Sequence, residues 1–173
     1  MEILENRDEW YAAYQQGWLA HFEATGQFDW SIYNRPTNKE AFGLPGIDLS
    51  QSRLLFISSA GAYLPESQEV YDDENPIGDY TIRRIPSDTP LSKIAYAHTH
   101  YNHQYVEADP QVLVPLDHLR TMVSEGIIGE LAPSMISFMG YLPDATRLVD
   151  ETIPEIVRVA KEEQAQAALL VPA

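Results

Sequence analysis

The sequence predicts an α/β domain with a mostly parallel sheet and flanking helices. Three observations carry that expectation. Short apolar runs ending in small or turn residues recur at Arg53 to Gly61 ("RLLFISSAG"), 135–140 ("MISFMG") and Ala167 to Val171 ("AALLV"), the mark of strands buried on both faces. Amphipathic helical stretches separate them. In the second half strand-like and helix-like segments alternate, which favours helices packed on a parallel sheet in a Rossmann-like, three-layer arrangement.

The elements follow in order. Residues 7–24 place Trp10, Tyr14, Leu19 and Phe22 at roughly helical spacing, which predicts an amphipathic helix bent at Gly17 and stopped at Thr25-Gly26. Residues 26–50 carry Gly, Pro, Asn, Asp and Ser and read as a long ordered arm. Its aromatics Phe28, Trp30, Tyr33 and Phe42 are expected to pack onto the rest of the chain. The first core strand is Arg53 to Gly61, and an extended piece is expected at Tyr80 to Ile85. "KIAYAHTH", Lys93 to His100, reads as a second strand. Pro115 to Gly126 reads as a helix with Pro at its start, Gly at its end and Leu116, Leu119, Met122 and Val123 as its apolar stripe. "IGELA" and "MISFMG" read as short strands around Pro133. Asp144 to Gln164 reads as a long helix with Asp144 as N-cap and a kink or break at Pro154. The chain thus divides into an N-terminal helix and arm (1–50) and an α/β unit (51–173). That unit is expected to be incomplete at its C-terminus, because an apolar strand at the very end wants neighbours.

Composition narrows function by exclusion. The net charge is −15 over 173 residues, which argues against nucleic acid or an anionic membrane as partner. There is no cysteine, so disulfides, thiolate metal sites and a thiolate nucleophile are absent from these residues. No apolar run is long enough to span a membrane, and the acidic start "MEILENRDEW" is no signal peptide. Cytoplasm is the default compartment.

Three polar clusters stand out. "AHTHYNHQYVEAD" holds His98, His100, His103, Glu107 and Asp109. On a strand, His98 and His100 share one face, and with His103 and Asp109 they form a candidate site for zinc or another divalent metal. A His/carboxylate pair for acid–base work and a solvated strand end fit the same residues. "IGDYTIRRIP" holds Gly78, Asp79, Arg83 and Arg84. One arginine can grip a substrate carboxylate, or Asp79 can form a salt bridge that ties down a loop. In an extended stretch Arg83 and Arg84 face opposite ways. "SSAG" offers Ser58, Ser59 and Gly61 as a small-residue turn after the first strand, where a backbone can approach a substrate or simply turn tightly. No nucleophile elbow and no dinucleotide fingerprint is present. His21 and His118 fall on predicted helices and read as surface or packing residues.

Taken together, "LLFISSAGAYL", "GDYTIRRIP", "AHTHYNH" with a downstream "AD", "VPLDHLRTMVSEGIIG" (Val114 to Gly129), Ser137 to Gly140 and "AALLVPA" resemble the selenoprotein B family of glycine, sarcosine, betaine and D-proline reductases. The resemblance runs from about residue 52 to the end and does not cover the first 50 residues. It implies reductive C–N cleavage of amino acids or their N-methylated forms. A partner subunit would supply a covalent carbonyl group and a dithiol the electrons. It implies further that the strand matching "AALLVP" leads into a selenocysteine or cysteine, so that an in-frame UGA is expected after Ala173. The 173 residues alone would then be an inactive part of the enzyme. Asp79 and Arg83 fall in the matching G-D-x-x-x-R element, as residues that orient substrate carboxylate and amine or hold the loop that does so. His98, His100, His103 and Asp109 would line the adjacent strand end as proton donors or metal ligands.

Two other functions fit the residues: a non-catalytic binding or assembly module of the same fold, and a small metal-dependent enzyme built on the histidine cluster. An unfinished last strand also suits pairing with another chain, including a second copy.

Overall fold

The computed structural model describes residues 3–39, 46–97 and 101–173. Arg7–Tyr14 (α1), a π turn at Gln15–Leu19 and Ala20–Thr25 (α2) run on without leaving helical backbone angles. Where a bend was expected at Gly17, the helix widens by that π turn. Arg53–Ser58 (β1), Ala62–Tyr63 (β2), Ile82–Pro86 (β3) and Ala95–Tyr96 (β4) follow. Then come His103–Ala108 (α3), Leu116–Ser124 (α4), Glu130–Leu131 (β5), Ser134–Phe138 (β6), Ala145–Arg147 (α5), Ile153–Glu162 (α6) and Ala167–Val171 (β7).

β1 is central. β7 pairs with it in parallel along its length, from Leu54↔Ala167 to Ser58↔Val171. β5 and β6 pair in parallel with residues of β1 that β7 also engages, so both lie on its other edge. They are two pieces of one edge separated at Pro133, which has no N–H to give the ladder. β3 pairs with β6 antiparallel, from Ile82↔Phe138 to Pro86↔Ser134. The fold is therefore α/β with a mixed, mostly parallel sheet. On one face Leu54, Phe56, Ile85 and Met135 pack with Leu116 and Leu119 of α4, with Met122 and Val123 alongside. On the other, Leu55, Ile57 and Ile136 pack with Val159 of α6.

One expected core strand is corrected. Of the described residues in that stretch, 93–97, only Ala95–Tyr96 is strand, and it pairs with β2 in a separate two-stranded sheet. The apolar run there is too short to build a rung of the main sheet, and Leu91–Lys93 is already a 3-10 turn. His98, Thr99 and His100 lie outside the described residues, as does Phe42.

The long helical segment from 144 shows how a proline is accommodated. Asp144 caps it by accepting from the N–H groups of Thr146 (2.9 Å) and Arg147 (3.3 Å). The chain then takes a π turn at Leu148–Thr152 before Pro154 enters the first turn of α6. A regular α-turn would press the proline ring against the carbonyl four residues back; the wider turn relieves that.

The arm folds back on the first helix. Trp10, Tyr14 and Trp18 stack in series and meet Phe28, Trp30 and Tyr33 of the arm. Leu4, Trp10, Tyr14 and Trp18 form a cluster with Ala145, and Val149 packs against it. β7 is the opposite case: Leu169 and Leu170 are 36% and 57% exposed.

Glu163 closes the break at Pro133. Its buried carboxylate accepts from the Ser134 N–H (3.0 Å), the Ser134 hydroxyl and Arg84 Nη2 (2.6 Å). Desolvation alone would raise this carboxyl, but those hydrogen bonds and the Arg84 charge outweigh it and hold it below its ordinary 4.5. A depressed carboxyl stabilises the fold above its unfolded pKa, and that stability is lost as pH falls through the folded value. Glu163→Gln is therefore expected to cost about 1–3 kcal/mol at pH 7, with the gap to wild type closing below pH 4.5. Urea unfolding across pH checks this; a gap independent of pH contradicts it.

Candidate functional site

The carboxyl ends of the parallel strands β1, β6 and β7 lie at one edge of the sheet, where open α/β folds carry their chemistry. Because β3 is antiparallel, its entry also sits at this edge. Gly78 to Thr81 lead into it beside Phe138, the last residue of β6. The last rung joins Arg83, Ser137, Ser58 and Val171 across all four strands. Residues that pair directly project from the same face, so these four share it. Arg84, one residue on, turns to the opposite face and to Glu162 and Glu163, as the alternation predicted.

At the β3 end, Asp79 accepts from the N–H of Asp72 (3.0 Å), the N–H of Thr81 (2.9 Å) and the Thr81 hydroxyl. Burial works to raise the Asp79 carboxyl, but these bonds and the nearby Arg83 charge hold it below the usual carboxylate range. Arg83 donates to Glu69 O (3.0 Å), Thr81 Oγ1 (2.8 Å) and Ile82 O (3.1 Å), and its guanidinium lies 4.2 Å from the Tyr71 ring centre. The expected Asp79–Arg contact is thus made through Thr81, whose hydroxyl donates to one and accepts from the other. Tyr71 donates to Ser137 O (2.8 Å), and Ser137 Oγ accepts from the Ala62 N–H (2.7 Å). Ser137 and Tyr71 were not singled out from sequence. Ser137 falls within the "SFMG" match, while Tyr71 sits in an acidic loop with no pattern to mark it. A cavity of about 600 Å³ opens beside this end, bordered by Asp72, Asp79, Tyr80, Arg147, Glu151 and Glu155.

At the other end, Ser58 is fully buried and donates to Leu113 O (2.9 Å), while its Oγ accepts from the Ala60 N–H (3.3 Å). Gly61 turns the chain at φ +63°, donates to Phe138 O and accepts from the Ala97 N–H, both at 3.0 Å. Both residues are taken up by the turn itself. Ser59 differs. Its N–H donates to Val171 O (3.2 Å), and its Oγ accepts the Ala173 N–H (2.9 Å). Tyr101 donates its hydroxyl to Ala60 O (3.2 Å) and stacks on His103 at 4.7 Å. Burial pushes the Tyr101 hydroxyl up to about 12, so it stays a donor at neutral pH. Asp109 accepts from the Gln111 N–H (2.9 Å) as the cap of a 3-10 turn. Among the described residues no group of three or more His, Cys, Asp or Glu side chains is placed to hold a metal ion; His98 and His100 lie outside them.

Three strand spacings, ~14 Å, separate β3 from β7. Asp79 and Arg83 therefore occupy one end of the edge, and Ser59 and Ala173 the other. Among the described residues no helix is long and apolar enough to cross a membrane.

Comparison with known proteins bears on this edge directly. Residues 48–172 match the family model described as glycine/sarcosine/betaine reductase selenoprotein B. The chain is 33% identical over 123 residues to the D-proline reductase subunit gamma of Acetoanaerobium sticklandii, covering 71% of this chain and 49% of that protein. It is 30% identical over 95 residues to the sarcosine reductase complex component B subunit beta of Peptoclostridium acidaminophilum, covering 54% of this chain and 22% of that protein. The chain thus spans about half the length of the first relative and less of the second. No solved structure matches it. With the matched region taking in every strand of the main sheet and both ends of its carboxyl edge, the chain belongs to the glycine/sarcosine/betaine reductase selenoprotein B family.

Proposed function

We propose that the protein is a component of a reductase complex that cleaves the C–N bond of an amino acid or an N-methylated amino acid, on a Rossmann-like three-layer scaffold. The redox residue is a selenocysteine or cysteine reached by the polypeptide beyond Ala173, since none of the 173 residues is a cysteine. The observation that carries this reading is the seating of Ala173 on Ser59 at the carboxyl edge shared by β1 and β7. Relatives named as subunits of D-proline and sarcosine reductases support a partner subunit and a substrate of this class. When present, the selenol or thiol supplies a strong nucleophile, because its anion is populated near neutral pH.

The chain's own residues divide the remaining work. Asp79 and Arg83, ~14 Å across the edge, hold the loop entering β3 through Thr81 and act as positioning residues. Tyr101, bonded to Ala60 on the turn after β1, and His103, stacked on it, border the substrate end, with His103 as the proton donor. A cytoplasmic location fits the reduced chalcogen that this chemistry needs.

The test uses the full-length chain in complex with its partner subunits and measures release of ammonia or an amine from glycine, sarcosine and betaine, and ring opening of D-proline to 5-aminopentanoate. Cleavage of one of them, falling to background when the residue after Ala173 is replaced by alanine, is expected. Cleavage that survives that replacement, or a full-length chain with no chalcogen there, overturns the reading.

A further inference from the structure

At the exit of β7 the ladder changes character. Val171 O is taken by the Ser59 N–H. Pro172 has no N–H to offer, so Ala173 carries the next donor, and a side chain rather than a backbone carbonyl receives it: Ser59 Oγ at 2.9 Å. Ser59 is only 7% exposed. A hydroxyl accepts through its lone pairs and still has one proton to donate. Among the described residues that proton meets no acceptor, although a buried donor normally finds one. The neighbouring Ser58 hydroxyl, by contrast, already donates to Leu113 O. Among the described residues Ser59 therefore presents a buried, uncommitted donor beside the backbone of Ala173, the residue that leads into the proposed redox position.

We infer that Ser59 is a positioning residue for the redox group: it fixes the backbone at Ala173 and donates its hydroxyl proton to the selenolate or thiolate that follows. This rests on the function proposed above. A hydrogen bond to the anion favours it over the neutral form, so Ser59 keeps the chalcogen ionised and aimed along the sheet edge.

The experiment follows alkylation by iodoacetamide against pH in the full-length chain. The redox position is held as cysteine so that its titration falls in an accessible range, and the modified peptide is identified by mass spectrometry. Ser59→Ala is expected to shift the midpoint of alkylation upward by about one pH unit, making alkylation about tenfold slower below both midpoints. Ser59→Thr, which keeps the hydroxyl, is expected to restore the wild-type profile. An unchanged midpoint in Ser59→Ala overturns the inference, as does a threonine variant that behaves like alanine. If the wild-type full-length chain carries no selenocysteine or cysteine there, the functional reading itself fails, and the inference with it.

Discussion

Trp18→Ala is expected to lower the free energy of unfolding by about 3–5 kcal/mol. The indole is 1% exposed and sits among five rings: Trp30 at 5.1 Å, Tyr14 and Phe28 at 5.7 Å, Tyr33 at 5.9 Å and Phe22 at 6.1 Å. Alanine would leave a cavity bounded by stiff rings that cannot collapse into it, which places the cost toward the high end. Three of those rings, Phe28, Trp30 and Tyr33, belong to the arm, and Phe28 and Trp30 are about half exposed. Without Trp18, Phe28 keeps its stacking on Phe22 and Trp30 its contacts with Tyr33 and Tyr141, but the ring that both pack against is lost. The arm is expected to loosen from the first helix together with the loss of stability. Trp18→Phe separates packing from polarity. The indole N–H has no hydrogen-bond acceptor among the described residues, so phenylalanine forfeits volume but no hydrogen bond and should cost far less. Urea unfolding followed by far-UV circular dichroism and by tryptophan fluorescence checks both variants. An alanine variant that loses under about 1 kcal/mol would mean that the arm contributes little to the fold.

This arm was legible because its signal is local. Aromatics at helical spacing followed by aromatics in a Gly/Pro-rich stretch have few places to go except onto each other. The strands at Arg53, Met135 and Ala167, the α4 stripe and the Asp144 cap were legible for the same reason: each is written within a few residues. What was not legible depends on register between distant segments. "KIAYAHTH" has the composition of a strand, yet among its described residues only Ala95 and Tyr96 pair, and their partner is the short β2 rather than β1. The row Arg83–Ser137–Ser58–Val171 exists only once three separate pairings are set. Tyr71, under the Arg83 guanidinium, could not be found from a loop that shows no periodicity. The role of Thr81 between Asp79 and Arg83 was missed because a hydroxyl between two charges looks, in sequence, like any turn residue.

The same edge explains why one loop residue tolerates no side chain at all. Gly78→Ala is expected to destabilise the protein by about 2–5 kcal/mol, from the cost of a non-glycine residue in left-handed backbone together with overpacking. Gly78 sits at φ +84°. A Cβ there would lie 2.6 Å from the Tyr141 carbonyl oxygen and 3.3 Å from Leu142 Cδ2. The oxygen belongs to the backbone just beyond β6, whose neighbours Pro143 and Asp144 are held by Tyr33 and Tyr80, so it cannot step aside cheaply. Relief has to come from the loop itself, and that loop carries Asp79 and Thr81 into the first position of β3. The substitution should therefore loosen Asp79 and Arg83 as well as lower stability, whereas Gly26→Ala, also at positive φ but with nothing within 4 Å of its Cβ, should pay the backbone cost alone. Comparing the two variants by urea unfolding isolates the contact with Tyr141, and equal losses at both positions would show that the close approach of the two loops does not matter. In "GDYTIRRIP" the glycine is then the condition for the aspartate that follows it: it lets two loops meet at the sheet edge closely enough for Thr81 to hold both charges.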